Sequence, residues 1–264
     1  MQATLPTLAW PTMTNLEIRE SILDTVSDGE PLAVPRMQPA AGGPHPLVVM
    51  FMDKPGIREA LHVFGRRLAG NGYDVILPDL YHRHGRMIGY GPAESADPGA
   101  QDHMMTLLRS LTDQGIQNDL DAALDAVAAD RPAGSLESVG CIGFCLGARA
   151  VFRTMMRLPE QFTAGAMWHP SFLVDGEPDS PHLTAGDLAG SLYAGFGEAD
   201  QMMSVASMTP FIEAVSGLGD RVEIDVLPGA RHGYTWPDST AYDEAAAERA
   251  WSRTLAMFGK ALGS

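Results

Sequence analysis

The chain has 264 residues, 45% of them apolar and 19% charged, which suits one large folded domain over residues 1–264 and excludes a disordered chain. Its formal net charge of −15 argues against nucleic acid or an anionic membrane as partner, because phosphate recognition needs clustered Lys and Arg. The two cysteines, Cys141 and Cys145, lie too close in sequence for a strand-and-turn disulfide and have no accompanying Cys or His pattern for zinc. Free thiols point to a reducing compartment. The segment from Met1 to Met13 lacks a basic stretch followed by an apolar run, so no signal peptide is expected. No apolar run reaches the roughly 18 residues of a membrane helix, and the expected location is cytoplasmic.

Residues 1–14 read as an irregular N-terminal segment with Pro6 and Pro11. Residues 16–26 alternate apolar and polar, and with Pro31 to Val34 they predict an antiparallel hairpin. Gln38 to Pro46 is a Pro, Ala and Gly turn. Leu47 to Met52 is a continuous apolar run, which suits a strand buried on both faces of a parallel sheet. A helix is expected from Ile57 to Ala69, stopped by Gly70-Asn71-Gly72, and then a strand from Tyr73 to Leu77. Leu80 to Gly99 reads as a long loop carrying Tyr81, His82, Arg83, His84 and Arg86, and long loops in folded domains are often functional. Helices are expected over 101–113 and 117–130.

The next unit is a strand, Ser138 to Ile142, the turn Gly143-Phe144-Cys145-Leu146-Gly147, and a helix from Ala148 to Leu158. A sharp strand-to-helix turn with a nucleophile at its apex is a nucleophile elbow. The apex backbone is strained, so its flanks must be small, and Gly143 and Gly147 meet that need. Here the apex is Cys145, an intrinsically strong nucleophile that acts as thiolate. Strands follow at Ala164 to Trp168, Ser191 to Phe196 and Val222 to Leu227, with Pro210 to Ser216 inside a helix and Thr240 to Leu262 as the closing helix. Alternating strands and helices give an α/β fold: a doubly wound, mostly parallel sheet with helices on both faces.

In such sheets chemistry collects at the carboxyl ends of the strands. Four ends carry suggestive residues: Cys145; Asp200 after the strand 191–196; His232 after the strand 222–227; and Asp53 with Lys54 after the strand 47–52. The order nucleophile, acid, histidine is that of α/β-hydrolases. His232, oriented by Asp200, can deprotonate Cys145 and later protonate a leaving group. The backbone N–H of Leu146 and that of Lys54 are the candidate oxyanion donors. Taken singly, Cys145 could be structural, Asp200 a cap and His232 a solvated loop residue. His82, His84 and His169 are competing histidines, and none forms a metal-ligand pattern.

Together these residues resemble the dienelactone hydrolase family, from about Leu16 to Leu262. The resemblance rests on Gly143-Phe144-Cys145-Leu146-Gly147, Gly197-Glu198-Ala199-Asp200, Gly229-Ala230-Arg231-His232-Gly233 and Pro78-Asp79-Leu80-Tyr81. It implies a Cys145-His232-Asp200 triad that cleaves a small-molecule ester or enol-lactone through an acyl-thioester, with no cofactor and no metal, in a monomer or homodimer. The family's thiol-contacting Glu falls on Asp53, one methylene shorter. Its carboxylate-binding Arg falls on Arg83, beside Tyr81 in the pocket. A second Arg is expected after the triad His, but Gly233-Tyr234-Thr235-Trp236 supplies none. Tyr234 and Trp236 then either line the pocket for an apolar or aromatic group or pack the His loop. An acyltransferase on the same fold, and a hydrolase-like binding or thiol-sensing protein, are the competing expectations.

Overall fold

The computed structural model describes residues 16–132 and 135–263; the irregular segment expected over 1–14 lies outside them. The chain enters through an antiparallel hairpin, β1 (Ile18–Ser27) and β2 (Glu30–Pro39), paired from Ile18↔Pro39 to Ser27↔Glu30. Asp28 and Gly29 between them both hold positive φ, 51° and 83°, the two-residue turn whose twist matches that of the strands. β2 runs to Pro39, so the turn expected from Gln38 begins two residues later.

Then come β3 (Leu47–Phe51), α1 (Glu59–Gly70), β4 (Asp74–Ile76), the short α2 (Pro92–Ser95), α3 (Pro98–Ser110) and α4 (Asp113–Ala128). α3 and α4 both start earlier than the apolar spacing predicts. Asp97, followed by Pro98, accepts the Ala100 N–H, and Thr112 accepts the Gly115 N–H, so capping chemistry rather than the apolar stripe sets their first turns. β5 (Val139–Phe144) leads into α5 (Leu146–Arg157), followed by β6 (Phe162–Trp168), β7 (Ser191–Gly197), α6 (Val205–Ser216), β8 (Val222–Leu227) and α7 (Glu244–Leu262). α7 begins four residues after Thr240, where Asp243 caps it by accepting the Ala246 N–H.

Among the described residues eight strands form one sheet, in the order β1-β2-β4-β3-β5-β6-β7-β8. β1, β2 and β4 pair antiparallel; every pairing from β4 to β8 is parallel. Every residue of β3 and of β5 is buried, as parallel strands covered on both faces must be. α1 and α7 cover one face, joined by the Arg67–Glu248 ion pair at 2.6 Å and by Phe64 packed edge-on to Trp251. α4, α5 and α6 cover the other, tied by Arg149 to Asp113 and by Phe152 to Phe211. Glycines let the helices approach: a Cβ on Gly140 of β5 would lie 2.8 Å from Leu262 of α7, and one on Gly165 of β6 would overlap Met155 of α5. No described helix is long and apolar enough to cross a membrane.

Candidate active site

The parallel strands all point their carboxyl ends to one edge, and there the turn after β5 places Cys145. Its backbone sits at φ 53°, ψ −112°, a conformation side-chain-bearing residues rarely adopt. The neighbours show why both glycines are needed. A Cβ on Gly143 would overlap the Gly147 carbonyl, and one on Gly147 would lie 2.6 Å and 2.7 Å from the carbonyl oxygens of Phe51 and Met52. The apex is tied to β6 and to the loop that follows it: the Cys145 N–H donates to Trp168 O at 3.1 Å, and the Ser171 N–H donates to Cys145 O at 3.0 Å. Leu146 is the first residue of α5, so its N–H has no acceptor within the helix.

Asp200 follows β7 and is buried. Its Oδ1 accepts the N–H groups of Met202 and Met203, both at 2.8 Å, and its Oδ2 meets His232 Nδ1 at 2.6 Å. The carboxylate is thus held by its own loop and holds the imidazole in turn. Burial alone would push the His232 pKa down. The hydrogen bond to Asp200 and the nearby Cys145 sulfur, with the charge on each, outweigh burial and lift it to about 10. His232 Nε2 is buried and has no partner at hydrogen-bond geometry among the described residues. The Cys145 sulfur is near enough to act on the ring without having closed a bond to Nε2. In the structure Sγ instead meets the Ser171 hydroxyl at 3.3 Å.

The residues after β3 form a second group. Asp53, 5% exposed, pairs through both oxygens with Arg58 at 2.5 Å and 3.0 Å, and accepts the Trp236 indole N–H at 2.8 Å. Arg58 lies over the Trp236 ring, 4.8 Å from its centroid. Both Asp53 oxygens are therefore taken, and neither is hydrogen-bonded to Cys145. Tyr81 is buried and donates its hydroxyl proton to the Lys54 carbonyl at 2.9 Å. Burial, then the charges of Asp53 and Cys145, raise its pKa, so it remains a neutral donor. The loop carrying Lys54 is stapled to the loop after β4. The Ile57 N–H donates to Ile88 O at 3.0 Å and the Tyr90 N–H to Pro55 O at 2.8 Å. Gly56 and Gly89 face one another across this bridge, and a Cβ on either would overlap the opposing carbonyl, Ile88 O or Ile57 O.

Arg83 sits in a separate cluster. Its guanidinium reaches Asp119 at 2.8 Å and 3.0 Å and Asp28 at 2.6 Å. The same buried Asp119 accepts from Ser27 at 2.6 Å and meets His82 at 3.0 Å. A cavity of about 260 Å³ opens beside Arg83, His84 and Thr112, but Cys145, Asp200 and His232 do not line it. Tyr234 is fully buried, stacks on Trp168 and donates to Gly195 O at 3.3 Å. Trp236 packs against Phe144, with centroids 4.7 Å apart. Both aromatic residues therefore pack the His232 loop onto the sheet.

The structure thus brings Cys145, Asp200, His232, Leu146, Lys54, Tyr81 and Asp53 to one edge and commits Arg83 to carboxylates elsewhere. Sequence reasoning missed Ser171 and Arg58, and it left His169 among several alternatives. His169 is 1% exposed, neither ring nitrogen has a hydrogen-bond partner among the described residues, and its ring lies 5.0 Å from that of His232. Burial and the neighbouring His232 hold its pKa well below the usual value, so it is a neutral imidazole. Position after a strand end was the available signal for all three, but polar loop residues rarely announce a contact. Among the described residues no group of three His, Cys, Asp or Glu side chains is placed to hold a metal ion.

The chain is similar to known proteins over most of its length. A provisionally named carboxymethylenebutenolidase of Methylorubrum extorquens is 28% identical over 226 residues, covering 84% of this chain and 75% of that protein. The carboxymethylenebutenolidase of Rhodococcus opacus is 26% identical over 221 residues, covering 81% of each. The crystal structure of a provisionally assigned dienelactone hydrolase from Klebsiella pneumoniae superposes with a TM-score of 0.79 at 26% identity, over 92% of this chain and 99% of that one. The sequence profile of the dienelactone hydrolase family matches residues 32–262. With its eight-stranded sheet and elbow, the chain belongs to the dienelactone hydrolase family and is a hydrolase of the α/β-hydrolase type.

Proposed function

We propose that this chain hydrolyses an ester or enol-lactone through Cys145, His232 and Asp200, by way of an acyl-thioester. The observation that carries the reading is the His232–Asp200 pair, closed at 2.6 Å, set beside a thiol at the apex of a strained elbow. His232 takes the thiol proton and Asp200 stabilises the resulting imidazolium. The thiolate attacks the carbonyl carbon. The oxyanion is received by the N–H groups of Leu146 and Lys54, each worth roughly 3 kcal/mol to the barrier. The C–O bond then breaks, and His232 gives its proton to the departing alkoxide or enolate. His232 next accepts a proton from water as that water attacks the thioester; the carboxylic acid leaves and the thiolate is restored. The Tyr81 hydroxyl, bonded to the Lys54 carbonyl, steadies the loop that carries that N–H.

The relatives named carboxymethylenebutenolidase make an unsaturated lactone the first substrate to try. Gripping a substrate carboxylate would require Arg83 to give up Asp119 and Asp28, so an uncharged acyl group is the better fit. The test is turnover of activated aryl esters and unsaturated lactones, charged and uncharged, by wild type and Cys145→Ala, with and without iodoacetamide. We expect hydrolysis that alkylation and the mutation both abolish, faster on uncharged members. Unchanged turnover in Cys145→Ala would overturn the mechanism.

A further inference from the structure

Ser171 lies after β6 in the sequence His169-Pro170-Ser171-Phe172, a segment with positive φ at His169 (39°) and at Phe172 (59°). Its side chain is 1% exposed. Among the described residues its hydroxyl has one hydrogen-bond partner, the Cys145 sulfur at 3.3 Å. A buried hydroxyl left unpaired is costly, so the satisfaction of this group depends on the nucleophile. The distance is set by the main chain, because the Ser171 N–H is bonded to the Cys145 carbonyl at 3.0 Å. The strained elbow and the strained loop are thereby registered to each other, residue to residue.

The other groups around the thiol are engaged or aimed elsewhere. From the loop after β3, Asp53 is held by Arg58 and Trp236. From the loop after β4, the Tyr81 hydroxyl goes to Lys54 O. From the loop after β7, Asp200 is filled by His232, Met202 and Met203. From the loop after β8, His232 presents Nε2 without having closed a bond to Sγ. His169, from the same loop as Ser171, is buried beside His232, with neither nitrogen bonded among the described residues.

We propose that Ser171 is a catalytic hydroxyl of this site: it accepts the thiol proton's hydrogen bond at rest and turns to donate to the sulfur once His232 has taken that proton. No bond to the serine oxygen is broken. Its O–H rotates from acceptor to donor as the charge on sulfur appears, and rotates back when the sulfur becomes a thioester. A hydrogen bond to the charged form favours that form, and bonds to charged groups are the stronger ones. The proposal rests on Cys145 being the nucleophile.

The test is the pH profile of Cys145 alkylation by iodoacetamide, read by intact mass, alongside kcat/KM on an activated ester. Wild type, Ser171→Ala, Ser171→Thr and Asp53→Asn are compared, with melting temperature as the check on folding. For Ser171→Ala we expect a profile moved about one pH unit to higher pH and alkylation at neutral pH slowed about tenfold, with kcat/KM falling alongside. Ser171→Thr, which keeps the hydroxyl, should stay with wild type, and Asp53→Asn should move the profile less than Ser171→Ala. An alanine profile that coincides with wild type, or a threonine profile displaced as far as alanine's, overturns the role of Ser171 while leaving Cys145 as nucleophile. Turnover that survives Cys145→Ala overturns the nucleophile, and the serine proposal with it.

Discussion

At Cys145 the backbone conformation and the proposed chemistry make opposite demands, since the elbow geometry suits glycine while the reaction we propose needs a side chain. Cys145→Gly should therefore be more stable than Cys145→Ala by about 1 kcal/mol in urea denaturation, although neither variant should turn over substrate. An alanine variant as stable as the glycine one would show that the elbow stores no strain at this residue. At His232 the raised pKa sets the alkaline limit. Part of that rise comes from a charged Cys145 sulfur, so it describes the pair after proton transfer: in the proposed mechanism the imidazolium formed with the thiol proton keeps it for the leaving group until the pH approaches about 10. The kcat/KM profile should hold through neutral pH and fall on an alkaline limb near that value, and Asp200→Asn should bring the limb to lower pH. The same shift has a stability sign. A pKa raised above the usual 6.5 contributes stability in full below 6.5, and that contribution is lost as pH rises toward 10. That Cys145, Asp200 and His232 would stand at one edge of the sheet could be read in sequence, because each follows a parallel strand. Ser171 could not, since nothing in His-Pro-Ser says that its hydroxyl meets the sulfur. The partners of Arg83 could not either, because Asp119 lies far along the chain on α4.

For the elements, the buried strands were the most legible part: β3, β5, β6 and β7 appear where apolar runs predict them, and the edge strand β8 appears where its alternating residues do. The ends of helices were less so, because caps compete with the apolar stripe. α3 and α4 illustrate this, and Thr112→Ala should cost about 1 kcal/mol by removing the Gly115 N–H acceptor. Packing of helix on sheet was invisible in sequence, since a glycine in a strand looks like a weak strand residue. Gly165 is instead the seat for α5. A Cβ there would overlap Met155 Sδ and lie 2.9 Å from Val151 Cγ1. Gly165→Ala should cost about 1–3 kcal/mol. Shortening the facing side chain in Gly165→Ala/Met155→Ala should make the pair less destabilising than the sum of the single changes, as a double-mutant cycle in urea can read.

Over the whole molecule, the net charge of −15 opposes the folded state by self-repulsion. Salt screens that long-range term, whereas close buried pairs such as Arg36–Asp74 at 2.7 Å and Arg58–Asp53 at 2.5 Å are screened far less. The melting temperature should accordingly rise by a few degrees between about 10 mM and about 150 mM sodium chloride; a fall would mean that exposed ion pairs, not net repulsion, dominate the balance. The two sheet faces also differ in their ion pairs: Arg67 of α1 pairs with Glu248 of α7, while Arg149, Arg153 and Arg157 of α5 pair with Asp113 and Asp121 of α4. The facing glycines, Gly56 and Gly89, give this architecture a bearing on its descent. The loop after β4 is fastened to the loop that carries the Lys54 N–H, through contacts too close for any side chain. Heritable novelty is therefore channelled: lengthening the chain between His84 and Tyr90 disturbs the loop that carries the Lys54 N–H, while lengthening it beyond Gly91, where no residue of α2 is buried, leaves that loop in place. A library of short insertions across 80–99, selected for esterase activity, should return survivors clustered after Gly91.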